Sequence, residues 1–491
     1  METIYSLFKL QVSEHPGTLA VMDDKRQLTF SQLDQLIDTI ASKFLTNHPK
    51  FIGIVMDHSV EMIASILAVI KVGAAYVPAE PSFPVERIRY MMKECDIDFL
   101  ITHDKYAANV NGGFRKLLIE QGLECRTDIH IDDMSEPNGL AYVLYTSGTS
   151  GEPKGVCVSN SNVCHYVHAF QNEFHPREGD RMLQYSVCSF DIFVEEMYTT
   201  LLSGAALCIP SEEMKADIST LMKYIESNRV TELSGFPYLL LEMNKLEQIP
   251  SSLRLLISGG DVLREKYVSN LLPHVQVYNT YGPSETTVCA SYYKCNGGYV
   301  LEDGTYPIGK PVLGVEIEIQ DRNGNVVKDG ETGEICIYGN GVSQGYIGRK
   351  PEQENFIEMR NGRQMYRSGD LGYVLPDGNL AFLRRKDKQV MILGKRVECD
   401  EVENLLNTCN EVEKGVVCAY TDPNELSYLV AYIVPRDEET FDYHELHRKL
   451  SMYLTPFMIP EFFVKMQSLP MTANGKVDRK ALPVVLKEWK L

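Results

Sequence analysis

The first half of the chain switches repeatedly between short apolar runs and stretches with a helical period. Phe51 to Met56 is a run of apolar residues interrupted only by Gly53, the pattern of a strand buried on both faces. Ser59 follows, then Met62, Ile63, Ile66, Leu67 and Ile70 at three- and four-residue spacing, which predicts a helix capped by Ser59. Ala75-Tyr-Val-Pro78 returns to a strand, so the three segments predict a βαβ unit and a parallel sheet. An earlier helix begins in Leu28 to Leu36, with Ser31 placed as its cap and Leu33, Leu36, Ile37 and Ile40 on one face. The alternation runs on through a helix at Val85 to Cys95 and strands at Phe99 to Ile101, Leu140 to Leu144, Val156 to Val158, Leu207 to Ile209, Leu253 to Ile257 and Val275 to Tyr278. No internal repeat or low-complexity segment interrupts it.

After about Pro307 the texture becomes β-rich. Val315 to Gln320 and Asn325 to Val327 predict a hairpin turning at Asn323-Gly324, with further strands at Gly333 to Tyr338 and Gly372 to Leu375 and a turn at Pro376-Asp-Gly378. Gly339 to Gly345 resembles a dinucleotide loop only superficially, since its spacing is off by one and no long helix follows. The charged run Leu383 to Val390 is the best linker candidate. Beyond it, a short amphipathic helix at Asp400 to Leu406, strands at Val416 to Tyr420 and Tyr428 to Val434, and a helix at Tyr443 to Tyr453 predict a small α+β domain reaching from about residue 388 to the end.

A length of 491 residues predicts two or three domains. A net charge of −19 argues against nucleic acid as a partner, because phosphate backbones demand a basic surface. The twelve cysteines form no Cys-x-x-Cys pair and no zinc-ligand spacing, and most sit in apolar runs, which fits reduced core residues and a cytoplasmic setting. The N-terminus carries no signal-peptide pattern, and the apolar stretch Met62 to Val77 is broken by Lys71 and Gly73, so no membrane span is expected.

The chemistry concentrates in Tyr145-Thr-Ser-Gly-Thr-Ser-Gly-Glu-Pro-Lys-Gly155. Its three glycines allow close backbone approach, Thr146, Ser147, Thr149 and Ser150 add hydroxyls, and Lys154 adds a positive charge, a combination suited to phosphate oxygens. It is not a Walker loop, because Glu152-Pro153 precedes the lysine and a strand rather than a helix follows.

This loop resembles the phosphate-binding signature of adenylate-forming enzymes: amino-acid adenylation domains, acyl- and aryl-CoA ligases and luciferases. Further segments follow in that family's order: Ile70 to Pro78, Phe190-Asp191, Tyr281-Gly-Pro-Ser-Glu285, Gly333 to Gly341, Tyr366-Arg-Ser-Gly-Asp370 and Asn474-Gly-Lys-Val-Asp-Arg479. The match is strongest to stand-alone relatives of the adenylation domains of nonribosomal peptide synthesis. It implies an α/β fold in which a large N-terminal region (1–386) of two α/β subdomains and a β barrel precedes a small mobile α+β domain (387–491), with a hinge near Asp387.

The resemblance implies ATP and Mg2+ as cofactors, formation of an aminoacyl adenylate with release of pyrophosphate, and transfer to the phosphopantetheine thiol of a separate carrier protein. For ATP it implies Thr146, Ser147, Thr149 and Lys154 on the β- and γ-phosphates, Tyr281 against the adenine, Asp370 at the ribose with Arg385 the matching arginine near the hinge, and Gly148, Ser150, Gly151, Gly260, Asn279, Thr280 and Gly282 as further ATP-binding positions, with Glu285 as magnesium ligand and Lys476 between carboxylate and α-phosphate. Asp191 matches the carboxylate that holds an α-ammonium, which fatty-acid and luciferin activators do not need. The pocket positions fall at Ile192, Glu195, Tyr238, Ile257, Gly259, Thr280, Val288 and Cys289. A buried Glu195 must meet a cationic or hydrogen-bonding substrate group, pair with protein or turn outward. That leans toward an ornithine- or lysine-like substrate, with a small neutral amino acid such as proline or alanine also open. The chain departs from the family's pattern at Arg384, usually Gly, and at Met391, usually Lys. With no carrier or condensation segment in the sequence, a free-standing activator is expected; an aryl- or fatty-acid–CoA ligase and a nonenzymatic nucleotide-binding member are the alternatives.

Overall fold

The computed structural model describes residues 2–45, 49–97, 99–108, 110, 113–148, 152–348, 351–359, 362–423, 426–472 and 477–485. Its contacts divide the chain into two compact units. The first holds Met1–Pro81, Met91–Tyr145 and Gly155–Lys386; the second holds Ser82–Tyr90, Thr146–Lys154 and Asp387–Leu491.

A six-stranded sheet carries the βαβ unit, with spatial order Arg115–Leu118, Phe99–Thr102, Phe51–Val55, Ala75–Pro78, Leu140–Thr146, Lys154–Ser159. Phe51–Val55 pairs in parallel with both of its neighbours, as the apolar runs predict. Between it and Ala75–Pro78 runs the Val60–Lys71 helix, buried all round and capped by Ser59, whose hydroxyl accepts from the Met62 N–H. The Phe30–Ala41 helix forms as the periodicity predicts, but its cap is Thr29 rather than Ser31. Thr29 accepts from Gln32 N–H and Gln32 returns the bond, a capping box that moves the helix start back by two residues.

The second sheet of this unit has nine strands, in the order Lys310–Pro311, Ser291–Lys294, Gln276–Tyr281, Leu255–Ser258, Glu232–Gly235, Arg181–Leu183, Ala206–Cys208, Leu19–Met22, Gln27–Thr29. Its four central pairings, from Gln276–Tyr281 across to Ala206–Cys208, are parallel, and so is the pairing of Ala206–Cys208 with Leu19–Met22. Ligand sites in such sheets gather at the carboxyl ends of strands, and here those ends lead into Gly259, Gly282 and the Ser186–Phe190 loop.

The β-rich stretch is a five-stranded antiparallel sheet of Val315–Gln320, Gly333–Gly339, Gln364–Val374 and Phe356–Glu358, with Leu380–Arg385 also on Gln364–Val374. The hairpin predicted at Asn323-Gly324 shrinks to a turn and a single bridge from Gln320 to Val326, and Val315–Gln320 pairs instead with Gly333–Gly339. The expected linker is also shorter than its charge pattern suggests, because Leu380–Arg385 and Gln389–Ile392 are both strands. Charged side chains on exposed edges of strands satisfy the same composition as a linker does.

In the second unit, Val412–Thr421, Ser427–Pro435 and Phe462–Lys465 form a three-stranded sheet against the Cys399–Thr408 and Tyr443–Leu450 helices. Gln389–Ile392 and Lys395–Glu398 form a hairpin that places Met391 opposite Arg396.

Candidate active site

In the first unit, three groups of polar residues stand out. Asp370 is buried, and it takes the Tyr281 hydroxyl on Oδ2 at 2.6 Å and Arg385 Nη1 on Oδ1 at 2.7 Å. The antiparallel register of Asp370 opposite Arg385 creates the ion pair, and Arg385 Nη1 also donates to the Ser368 carbonyl at 2.8 Å. A carboxylate so held is a fixed pair of acceptors. Nearby in sequence, Asn279 is buried with its amide on the Pro307 carbonyl at 2.8 Å, while Gly282 passes so close to Val288 O that a Cβ would lie 2.4 Å away. Gly260 has a φ of 79°, open to glycine and strained for other residues.

Glu285 forms the second group. It lies on the short Ser284–Thr286 helix, is fully buried, and accepts from the Tyr346 hydroxyl at 2.7 Å. Tyr346 lies 61 residues further on; in the sequence it is one tyrosine among many, and nothing there marks it as the partner that orients Glu285.

The third group surrounds Asp191 and Glu195. The Asp191–Val194 helix runs into a π-helical turn, Glu195–Thr199, a feature concentrated at functional sites. Asp191 is half-buried; burial pushes its carboxyl up to about 6, with Glu285 adding to the rise and Ser284 opposing it. Glu195 is buried and accepts from two hydroxyls, Tyr166 on Oε2 and Ser234 on Oε1, the latter at 2.5 Å. Burial raises it to about 7; the two hydroxyls hold it down and the charge of Asp191 pushes it up. Thr280 and Tyr166 both bear on Cys289, which feels Glu195 and Asp191 as well. Ile192, Ile257, Thr280, Val288 and Cys289 are all buried, and a Cβ at Gly259 would stand 2.7 Å from Thr280 Oγ1, so Gly259 keeps the space open. Val288 takes a φ of 70°, an uncommon conformation for a β-branched residue and a mark of local strain. Tyr238 does not join this group: it lies on the Pro237–Asn244 helix and is 39% exposed. The residue meeting Glu195 is Ser234, four positions earlier on the Glu232–Gly235 strand, where strand alternation rather than helix period sets the direction of the side chain.

Behind Asp191, a second layer of carboxylates holds the preceding loop. Glu196 accepts from the Tyr185 and Ser186 N–H groups at 3.1 and 3.0 Å and from Gln184 Nε2 at 3.0 Å. Glu80 accepts from the Cys188 N–H at 2.6 Å and meets His58 Nε2 at 3.0 Å. His58, Glu80 and Cys188 bring possible ligand atoms within 4.8 Å of one another. His58 is already engaged on both nitrogens, the other facing Gln184 Oε1 at 2.7 Å, and burial holds Cys188 as the thiol, so the trio reads as a hydrogen-bonded brace rather than an ion site.

The raised carboxyls give a stability prediction. Burial leads the causes at Asp191, Glu195 and Glu196, the last also rising to about 7. Unfolded values lie near 4, so the folded chain binds these protons more tightly. Their stabilising contribution is complete below about pH 4 and is lost as pH rises through the folded values. Thermal melts of the substrate-free protein should show the midpoint falling from about pH 5 to about pH 8, with a shallower fall in Glu195→Gln.

In the second unit, the glycine-rich loop keeps the features a phosphate site needs. Thr146 Oγ1 is buried and, among the described residues, has no hydrogen-bond partner. A Cβ at Gly148 would stand 1.8 Å from Glu152 O, so no side chain fits there. Lys154 is 2% exposed, an unusual burial for a lysine. Ser147 Oγ donates to the Arg396 carbonyl at 3.1 Å, and the Gly148 N–H meets Glu401 Oε2 at 3.3 Å. Thr149, Ser150, Gly151 and Lys476 lie outside the described residues. An orphaned buried hydroxyl, a glycine-only backbone and a buried lysine fit the triphosphate of ATP; in the first unit, the Glu285 carboxylate, oriented by Tyr346, fits Mg2+, which takes one or two carboxylates. Among the described residues, no helix is long and apolar enough to cross a membrane.

Comparisons with known proteins give the chain its family. The family profile described as AMP-binding enzyme matches residues 8–347, and that of the AMP-binding enzyme C-terminal domain matches residues 401–476. The chain is 35% identical over 487 residues to bacitracin synthase 2 of Bacillus licheniformis, covering 98% of this chain and 18% of that protein. Its fold is similar to NpsA-ThdA, an artificially fused adenylation–PCP di-domain from Klebsiella oxytoca (TM-score 0.85, 24% identity, 95% of this chain and 94% of that one). It is equally similar in fold to an o-succinylbenzoate CoA synthetase from Bacillus subtilis (TM-score 0.85, 20% identity, 98% of each chain). The chain therefore belongs to the AMP-binding enzyme family, and it spans about a fifth of the length of the bacitracin synthase it matches.

Proposed function

We propose that this chain activates an amino acid with a basic side chain. ATP and the amino acid give an aminoacyl adenylate and pyrophosphate, and the acyl group then passes to the phosphopantetheine thiol of a carrier protein. One observation carries the choice of substrate. Asp191 and Glu195 are two carboxylates one helical turn apart, and among the described residues neither faces a protein cation. An α-ammonium on Asp191 and a side-chain ammonium toward Glu195 would neutralise both.

Each residue has a task that its surroundings support. Asp370, fixed by Tyr281 and Arg385, accepts from the ribose hydroxyls. Thr146, Ser147, Gly148 and Lys154 take the β- and γ-phosphates, and Glu285, oriented by Tyr346, would hold Mg2+, which screens phosphate charge when bound. Asp191 orients the amino acid so that its carboxylate is presented to the α-phosphate, converting an encounter of two anions into a positioned attack. Lys476 meets the charge that accumulates there, from a lid domain turning on a hinge near Asp387.

ATP–pyrophosphate exchange with a substrate panel tests this reading. Lysine or ornithine should support exchange, while their N-acetyl derivatives, alanine, proline and aryl acids should not. Exchange with an aryl acid would instead favour a CoA ligase, and exchange with alanine or proline alone would remove the role given to Glu195. Glu195→Gln should narrow the preference for the basic amino acid by roughly 1.5–3 kcal/mol, the scale of a charged hydrogen bond. Binding of that cation should also strengthen as pH rises through about 7, where the Glu195 carboxyl ionises. Both effects can be read from kcat/KM ratios measured across pH.

A further inference from the structure

The Cys399–Thr408 helix sends Glu401 from its first turn to the glycine-rich loop. Glu401 is 4% exposed. Its Oε2 faces the Gly148 N–H at 3.3 Å, and its Oε1 accepts from Arg87 Nη1 at 2.9 Å. Arg87 is itself buried, and Lys154 adds attraction to the same carboxylate. Gly148, Arg87, Lys154 and Glu401 all belong to the second unit. A carboxylate that accepts from a glycine-loop amide beside an arginine and a lysine makes the contacts of a phosphate oxygen. It is a smaller anion than a phosphate chain, and it leaves the Thr146 hydroxyl buried without a partner among the described residues. Burial raises the Glu401 carboxyl despite Arg87, the Gly148 amide and Lys154, so this seat costs free energy that a nucleotide could recover.

Resting on the reading of this loop as the ATP phosphate site, we propose that Glu401, held by Arg87, is a built-in stand-in for phosphate: seated on Gly148 it excludes the nucleotide, and it must withdraw before ATP binds. The loop then has two alternative anions. ATP displaces Glu401 at the start of a turnover, and once pyrophosphate has left, Glu401 reoccupies the amide and blocks a second ATP while the adenylate is consumed. No bond is made or broken in this exchange; one hydrogen-bonded anion replaces another.

The test is a titration of the full chain with ATP and Mg2+ in the absence of amino acid, by calorimetry, for wild type, Glu401→Gln and Arg87→Gln. The proposal expects ATP to bind about tenfold tighter to Glu401→Gln, in line with loss of a competing charged hydrogen bond, and inorganic pyrophosphate to follow in parallel. Arg87→Gln should shift in the same direction, because the carboxylate loses its anchor. A purely structural ion pair would give the opposite result, weaker nucleotide binding in both variants. Glu401→Asp, one methylene shorter and still charged, covers the case in which Glu401→Gln does not fold, and is expected to tighten ATP binding likewise. Unchanged or weaker ATP binding by the folded variant, with wild type binding ATP normally, overturns this inference alone. Wild type binding neither ATP nor pyrophosphate overturns the phosphate-site reading, and this inference with it.

Discussion

Lys476→Ala should suppress ATP–pyrophosphate exchange by about 10²–10³-fold, the loss seen when one preorganised donor to a developing charge is removed. The lysine directly follows Asn474-Gly475, a dipeptide of the kind that marks turns in sequence. In adenylation, a carboxylate attacks a phosphate and negative charge crowds on the α-phosphate, so a cation there lowers the barrier. In the second half-reaction a thiol attacks a finished adenylate, and that cation has much less to do. The same variant, given synthetic aminoacyl adenylate, should therefore load a cognate carrier at close to the wild-type rate. Equal loss in both half-reactions would assign Lys476 a structural role instead.

Asp191→Ala should lower kcat/KM for the amino acid by roughly 10–150-fold, the equivalent of a charge-assisted hydrogen bond, while ATP affinity stays close to wild type. Half-buried at the head of its helix, Asp191 has its carboxyl raised to about 6, chiefly by burial. An incoming ammonium would draw it back to full ionisation, so the substrate gains both the ion pair and relief of the buried charge. The loop before it is held separately, by Glu196 on the Tyr185 and Ser186 amides and by Glu80 on the Cys188 amide, so the substitution removes a charge without removing the scaffold. Equal activation of an N-acetylated analogue by the wild-type chain would contradict this role.

Much of the fold was legible because its signals are local. Apolar runs such as Phe51–Val55 and the Ser59 cap depend on neighbouring residues, and the structure forms the parallel pairing and the capped helix they predict. The misses arose where distant partners decide. Thr29 caps its helix because Gln32 answers it, and Val315–Gln320 pairs with a strand beyond the turn that was expected to close its hairpin. Within the site, contiguous motifs marked Asp191, Glu285 and Asp370, but the residues that orient them, Tyr346 and Arg385 among them, come from elsewhere in the chain. Arg385 could be matched because a motif surrounds it, whereas Tyr346 and Ser234 stand in no motif. The shift from Tyr238 to Ser234 turned on whether a strand or a helix presents the side chain, a distinction of four residues that composition does not encode. Glu401 carries no signal in the sequence for the same reason: an acidic residue in the first turn of an amphipathic helix is ordinary, and only its approach to Gly148 gives it meaning.

Selectivity for a basic side chain is read in one experiment, a competition in which the protein chooses its substrate. The chain would be incubated with ATP, Mg2+ and an equimolar mixture of the twenty standard amino acids and ornithine, quenched within a turnover, and the adenylates separated by mass. A dominant aminoacyl adenylate carrying a basic side chain is expected, with Glu195→Gln spreading the product over neutral amino acids. A dominant neutral aminoacyl adenylate from the wild-type chain, or none from any amino acid, would contradict it.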